Sequence, residues 1–136
     1  ALANPALAPY GAAAEAVIVS LGVIDGPMRG SVQSGSARWV LAENVGGTFT
    51  LIASGNARAG FVALSQLLEK GVDSSEYYII PSAMYPAINQ QGLLTRRGAD
   101  NAAARAFLAF LSAPRARSHI AAAGYVLPIQ PWQSTT

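Results

Sequence analysis

The chain contains no cysteine, so disulfides, thiol chemistry and thiolate metal sites are excluded from the start. A single histidine, His119, leaves metal ligation without a second ligand nearby. Ser65, His119 and Asp100 supply the residue types of a triad, but no nucleophile-elbow glycines surround the serine. Charge is scarce as well. Only 12% of the 136 residues are Asp, Glu, Lys or Arg, against a usual quarter, and mean hydropathy is +0.30. Nine basic and seven acidic residues leave +2, too little to hold a phosphate backbone, so nucleic acid is excluded as a partner. Arg96-Arg97 and Arg115/Arg117 are the only basic clusters, and they read as solvated ends of elements. No apolar run reaches membrane-span length, because Glu15, Asp25 and Glu43 interrupt the candidates. An apolar chain of one-domain size with so few charges predicts surface that belongs against another domain or another copy.

Two stretches carry the functional signal: Asn4-Pro5-Ala6-Leu7-Ala8-Pro9-Tyr10-Gly11 and Ala42-Glu43-Asn44-Val45-Gly46-Gly47. Each reads as a strand end turning tightly into a helix start. Such junctions present main-chain N–H groups at the positive end of a helix dipole, and these hold oxyanions without a cationic side chain. Asn44 is a good N-cap, and capping accounts for its side chain better than ligation does. Gly46-Gly47 lacks the spaced glycines and later acidic residue of a dinucleotide fingerprint.

The rest of the pattern alternates strands with helices and predicts an α/β class with a mostly parallel sheet covered on both faces. A helix is expected over residues 11–21, stopped by Gly22, then a loop over residues 26–31 and a short buried strand over residues 38–42. A short helix over residues 48–54 follows. Residues 59–64 and 76–80 read as further strands, with Ser65 capping a helical turn between them. Alternation from Pro86 to Arg97 predicts an extended segment with one wet side. Asp100 is expected to cap a helix carrying Phe107, Leu108, Phe110 and Leu111 on its packing face, and Pro114 to open a last helix ending at Gly124. Ala1 to Pro5 looks like the tail of a strand, with no signal-peptide pattern, which predicts a chain that starts inside a fold.

In order, Asn4-Pro-x-x-Ala8-Pro-Tyr-Gly-x-Ala-Ala14, Glu43-Asn-Val45, Gly60-Phe-Val-Ala-Leu-Ser-Gln66, Tyr85-Pro-x-Ile-x-Gln-Gln91, Ala104-Arg-Ala-Phe-Leu-x-Phe-Leu111 and Ala123-Gly-Tyr-Val-Leu-Pro128 resemble the periplasmic molybdate-binding proteins of ABC importers. The resemblance implies a periplasmic-binding-protein type II lobe. Residues 1–85 would be the anion-binding second lobe, residues 86–97 a returning crossover strand, and residues 98–128 C-terminal helices that pack on a first lobe. That first lobe is absent from these 136 residues, and residues 129–136 would be a tail.

The resemblance further implies a periplasmic, non-enzymatic protein that binds molybdate or tungstate and delivers it to a membrane permease, with no cofactor and no bare metal cation. Main-chain donors would be Tyr10 and Val45, flanked by Asn44 and Gly46, with Gly11 permitting close backbone approach. The tyrosine hydroxyl that some relatives add corresponds here to Ala63. Alone, the chain would bind weakly, and its C-terminal helices would meet the first lobe or self-associate as a dimer or larger. A sulfate- or phosphate-type oxyanion protein, or the effector-sensing domain of a transcription regulator, stands as the alternative.

Overall fold

The computed structural model describes residues 1–28, 33–34 and 37–128. The tail at 129–136 and the end of the expected loop at 29–31 lie outside the described residues. The chain divides into two compact units, Ala1–Ile88 and Asn89–Thr136.

The first unit is α/β. It runs β1 (Leu2–Ala3), α1 (Pro9–Ser20), β2 (Gln33–Ser34), β3 (Ala37–Arg38), β4 (Leu41–Ala42), α2 (Val45–Ala53) and α3 (Leu64–Lys70). β1 and β4 pair in parallel, Leu2 opposite Leu41 and Ala3 opposite Ala42, while β2 and β3 form a separate antiparallel pair. Along the other side of β1, the Ala1 nitrogen donates to Ala59 O (2.6 Å) and Phe61 N–H to Ala1 O (2.9 Å). These two bonds make one rung of a parallel ladder. Gly60 is required there, since a Cβ would strike Ala1 O and come within 2.8 Å of Ile52 Cδ1.

The core gathers Leu2, Ala14, Ile18, Ile24 and Met28, with Trp39, Leu41 and Phe61 packed against it. α1 buries Gly11, Ala13, Ala14, Val17 and Ile18 on this side. Small residues at its first turns let the helix lie close on β1, and Ile18 further along fills the deeper space. The chain then reverses at Gly22 (φ 66°), a left-handed position suited to glycine. Glu15, halfway along α1, accepts from Met28 N–H and ties the returning loop to the helix.

Several sequence expectations shift. α2 begins at Val45, three residues earlier than expected, because Asn44 Oδ1 accepts from Gly47 N–H (2.9 Å) and starts the helix at once. α3 begins at Leu64 with Ser65 inside it; the Ala63 N–H donates to Gln66 Oε1 (3.2 Å) in place of a serine cap. Of the strand expected over residues 59–64, one rung forms. Residues 76–80 are not a strand. Ser74–Glu76 is a 3-10 turn, Tyr78 and Ile79 are exposed, and no ladder partner runs beside them among the described residues. An apolar run becomes a strand only when a neighbour takes up its main-chain groups.

The second unit holds a 3-10 turn (Arg96–Gly98), α4 (Ala102–Leu111) and α5 (Pro114–Ala122). Residues 86–94 before it form no regular element. Asn101, not Asp100, caps α4, its Oδ1 accepting from Ala103 N–H (2.9 Å) and Ala104 N–H (3.2 Å). The expected four-residue packing face divides: Leu108 and Leu111 are half-buried, whereas Phe107 and Phe110 are exposed. α5 opens at Pro114, and the chain turns away at Gly124 (φ 87°).

Candidate oxyanion site

Two neighbouring parallel strands point the same way, so the turns at their C-terminal ends emerge on the same edge of the sheet. β1 leads through residues 4–8 into α1, and β4 leads through Glu43 and Asn44 into α2. Parallel pairing therefore brings the two helix N-termini side by side, although their residues stand about a quarter of the chain apart in sequence. The Asn4 N–H donates to Ala42 O (2.7 Å), joining the first turn to the last strand residue before the second.

The first turn is organised by Asn4. Its Oδ1 accepts from Ala6 N–H (3.0 Å), and its carbonyl accepts from Leu7 and Ala8 N–H (3.0 Å each). Ala8, extended at φ −136°, is the N-cap and offers no side-chain cap; Pro9 at the first helical position has no N–H to satisfy. Tyr10 follows, half-buried, at the second helical position. The Gly11 N–H returns to Ala8 O (2.9 Å). Gly11 is buried against β1, where a Cβ would overlap Ala3 O and lie 2.7 Å from Asn4 C. The close approach it permits is thus between α1 and its own strand.

The second turn is self-capped. Asn44 Oδ1 takes the Gly47 N–H, and Asn44 O accepts from Thr48 N–H (3.2 Å) and from the Thr48 hydroxyl (3.3 Å). Thr48 is the one fully buried polar side chain among the described residues, and this bond satisfies it. The N–H groups of Val45 and Gly46 have no acceptor among the described residues, as first-turn geometry dictates. Neither α1 nor α2 carries an acidic residue in its first turn, and Glu43, just ahead of the Asn44 cap, is exposed. Gly46 is half-buried, and its carbonyl accepts from the Thr50 hydroxyl (3.1 Å).

The structure thus brings Tyr10, Gly11, Asn44, Val45 and Gly46 to one edge of the sheet. Ala63 is buried there without a hydroxyl to offer. Asn4 belongs with them as the organiser of the first turn. The Asn-Pro pair was its signal, since asparagine side chains bond main-chain groups two residues on. An open hollow of about 390 Å³ lies elsewhere, between α1 and the Gly26-Pro27 loop, and none of the five residues lines it. Among the described residues no three of His, Asp and Glu gather to hold a metal ion, and no helix is long and apolar enough to cross a membrane.

Residues 1–126 match the family of bacterial extracellular solute-binding proteins. The Molybdate-binding protein ModA of Rhodobacter capsulatus is 38% identical over 126 residues, covering 93% of this chain and 46% of that protein. Its namesake from Azotobacter vinelandii is 35% identical over 127 residues, covering 93% and 47%. The solved structure of the Azotobacter vinelandii periplasmic molybdate-binding protein superposes with a TM-score of 0.76 at 35% identity, covering 93% of this chain and 53% of that one. The chain spans about half the length of the curated relatives it matches.

Proposed function

The chain belongs to the family of bacterial extracellular solute-binding proteins, and from that premise we propose that its first unit forms one wall of a site for a tetrahedral oxyanion, molybdate or tungstate. The observation that carries the reading is the side-by-side placement of two helix N-termini, at Tyr10 and at Val45, in a chain similar over 93% of its length to molybdate-binding proteins. Main-chain N–H groups of Tyr10 and Val45 are the donors, with Asn44, Gly46 and Gly11 holding the turns that present them. The role is reversible capture in the periplasm and delivery to an ABC importer permease, with no covalent chemistry and no cofactor.

Neutral donors on a rigid frame select by position. Their dipoles already point at the anion before it arrives, so binding costs little reorganisation. Charge-assisted hydrogen bonds contribute roughly 1.5–3 kcal/mol each, so two give about 3–6 kcal/mol, a Kd between several millimolar and tens of micromolar. Tight capture needs donors from beyond these 136 residues, such as a facing lobe. The exposed Phe107 and Phe110 on α4 support the second unit as the surface that meets such a lobe or another copy. The domain plan follows: residues 1–85 bind, residues 86–97 cross over, and residues 98–128 dock.

Thermal unfolding with and without millimolar molybdate, with sulfate and phosphate as controls, tests the reading. A rise in Tm with molybdate that exceeds both controls is expected, because a ligand stabilises the fold that binds it. Equal shifts with all three anions would favour the general sulfate- or phosphate-type alternative. No shift in a cooperatively unfolding chain would remove the site from this unit.

A further inference from the structure

We infer that Asn4 is a positioning residue: it sets the spacing between the Tyr10 and Val45 donors and thereby the size of oxyanion the edge accepts. The inference rests on the oxyanion reading and deepens it. Asn4 is bonded to both turns. Its N–H reaches Ala42 O (2.7 Å), at the threshold of the second turn, while its carbonyl and Oδ1 hold Leu7, Ala8 and Ala6 of the first.

The two helices differ in how they start. α2 carries its own cap in Asn44, so its first turn is fixed locally. α1 has an alanine cap with no side-chain bond, so its start is fixed by what precedes it. Of Asn4's four bonds, three are main-chain and survive substitution; the fourth, Oδ1 to Ala6, closes the crown of the turn over Pro5. Losing that acceptor leaves β1 and its pairing with β4 in place, while residues 5–8, which deliver Tyr10, loosen relative to Val45. Donors that discriminate only through fixed positions lose discrimination when one of them moves.

The experiment is a titration of the 15N-labelled chain with molybdate and with sulfate, following the Tyr10 and Val45 amides, for the unaltered chain, Asn4→Asp, Asn4→Ser and Asn4→Ala. In the unaltered chain both amides shift with a common Kd that is lower for molybdate. Asn4→Asp keeps the acceptor and adds a charge that repels both dianions alike, so both Kd values rise and their ratio holds. Asn4→Ser forms the turn more weakly and loses part of the ratio. Asn4→Ala brings the ratio about fivefold closer to one, the discrimination of roughly one hydrogen bond. Should Asn4→Ala fail to fold, the contrast between Asp and Ser decides. An unchanged ratio in Asn4→Ala, or in Asn4→Ser where it is the deciding variant, with both amides still responding, would reduce Asn4 to a structural residue. A ratio lost equally in Asn4→Asp, or an unaltered chain that responds to both anions alike, would overturn the inference while leaving the oxyanion site standing. Silence of both amides toward both anions in the unaltered chain would instead bring down the site itself, and the inference with it.

Discussion

α1 is capped by an alanine that makes no side-chain bond, yet five of its twelve residues are buried; α4 is capped twice by Asn101, yet none of its ten residues is. The contrast holds for the units they belong to. The first unit owns the core of Leu2, Ala14, Ile18, Ile24 and Met28, whereas Ala116 is the only fully buried apolar residue among those described in the second. Local capping and tertiary burial are separate sources of order. Burial of an apolar face supplies most of a helix's stability in a folded protein. A helix that has caps without burial has a surface still available to a partner.

The largest expected effect that would test this contrast is at Ile18, 2% exposed in the core. Ile18→Ala should lower stability in urea unfolding by about 2–5 kcal/mol, the range for truncating a buried aliphatic side chain. Gly11→Ala comes next. Its Cβ meets main-chain atoms of Ala3 and Asn4, which cannot swing aside as a side-chain tip would, so about 3 kcal/mol should be lost in the same assay. A near-neutral Gly11→Ala would mean that α1 does not sit on β1 as described.

In the second unit the order of importance reverses toward local terms. Asn101→Ala removes both cap bonds and should cost about 1 kcal/mol, read as faster amide exchange confined to the first turn of α4. Phe107→Ala, at a side chain 59% exposed, should stay within about 0.5 kcal/mol. A loss several times larger, falling as the protein is diluted, would show that the α4 face is covered by a second copy in solution.

The smallest effect concerns Asp73. Hydrogen bonds from the Ser75 hydroxyl (2.7 Å) and then the Ser75 N–H (2.8 Å) hold its carboxyl below the usual carboxylate range. The folded value is the depressed one. The turn is therefore fully supported above the ordinary aspartate value and loses that support as pH falls through the folded value. An acid titration of the Ser75 amide should show the transition below that of an unstructured aspartate, and Asp73→Asn should abolish it.

How much was legible differed by element. Caps and stops depend on one residue and its immediate neighbours, so Asn44 and the glycines at 22 and 124 could be read directly. Asn101 was missed by one position because Asp100 beside it has the same capping chemistry. The strand expected over residues 76–80 was illegible for another reason: Tyr77-Tyr78-Ile79-Ile80 has the composition of a strand, but pairing belongs to two segments. The split of the α4 face likewise depends on what lies opposite each side chain, and composition cannot report that.

The sequence by itself determined the two turns, the Asn44 cap and the glycines that make them possible, because these rest on φ preferences and hydrogen bonds spanning three or four residues. The resemblance to molybdate-binding proteins was legible in the same local motifs. Only the tertiary structure decided that the turns lie on one edge. That required β1 and β4, nearly forty residues apart, to pair in parallel with Leu2 opposite Leu41, a long-range contact no local propensity encodes. It also decided that Gly11 serves the helix–strand contact and that Asn4 joins both turns, since each role is defined by atoms that chain folding alone brings within reach.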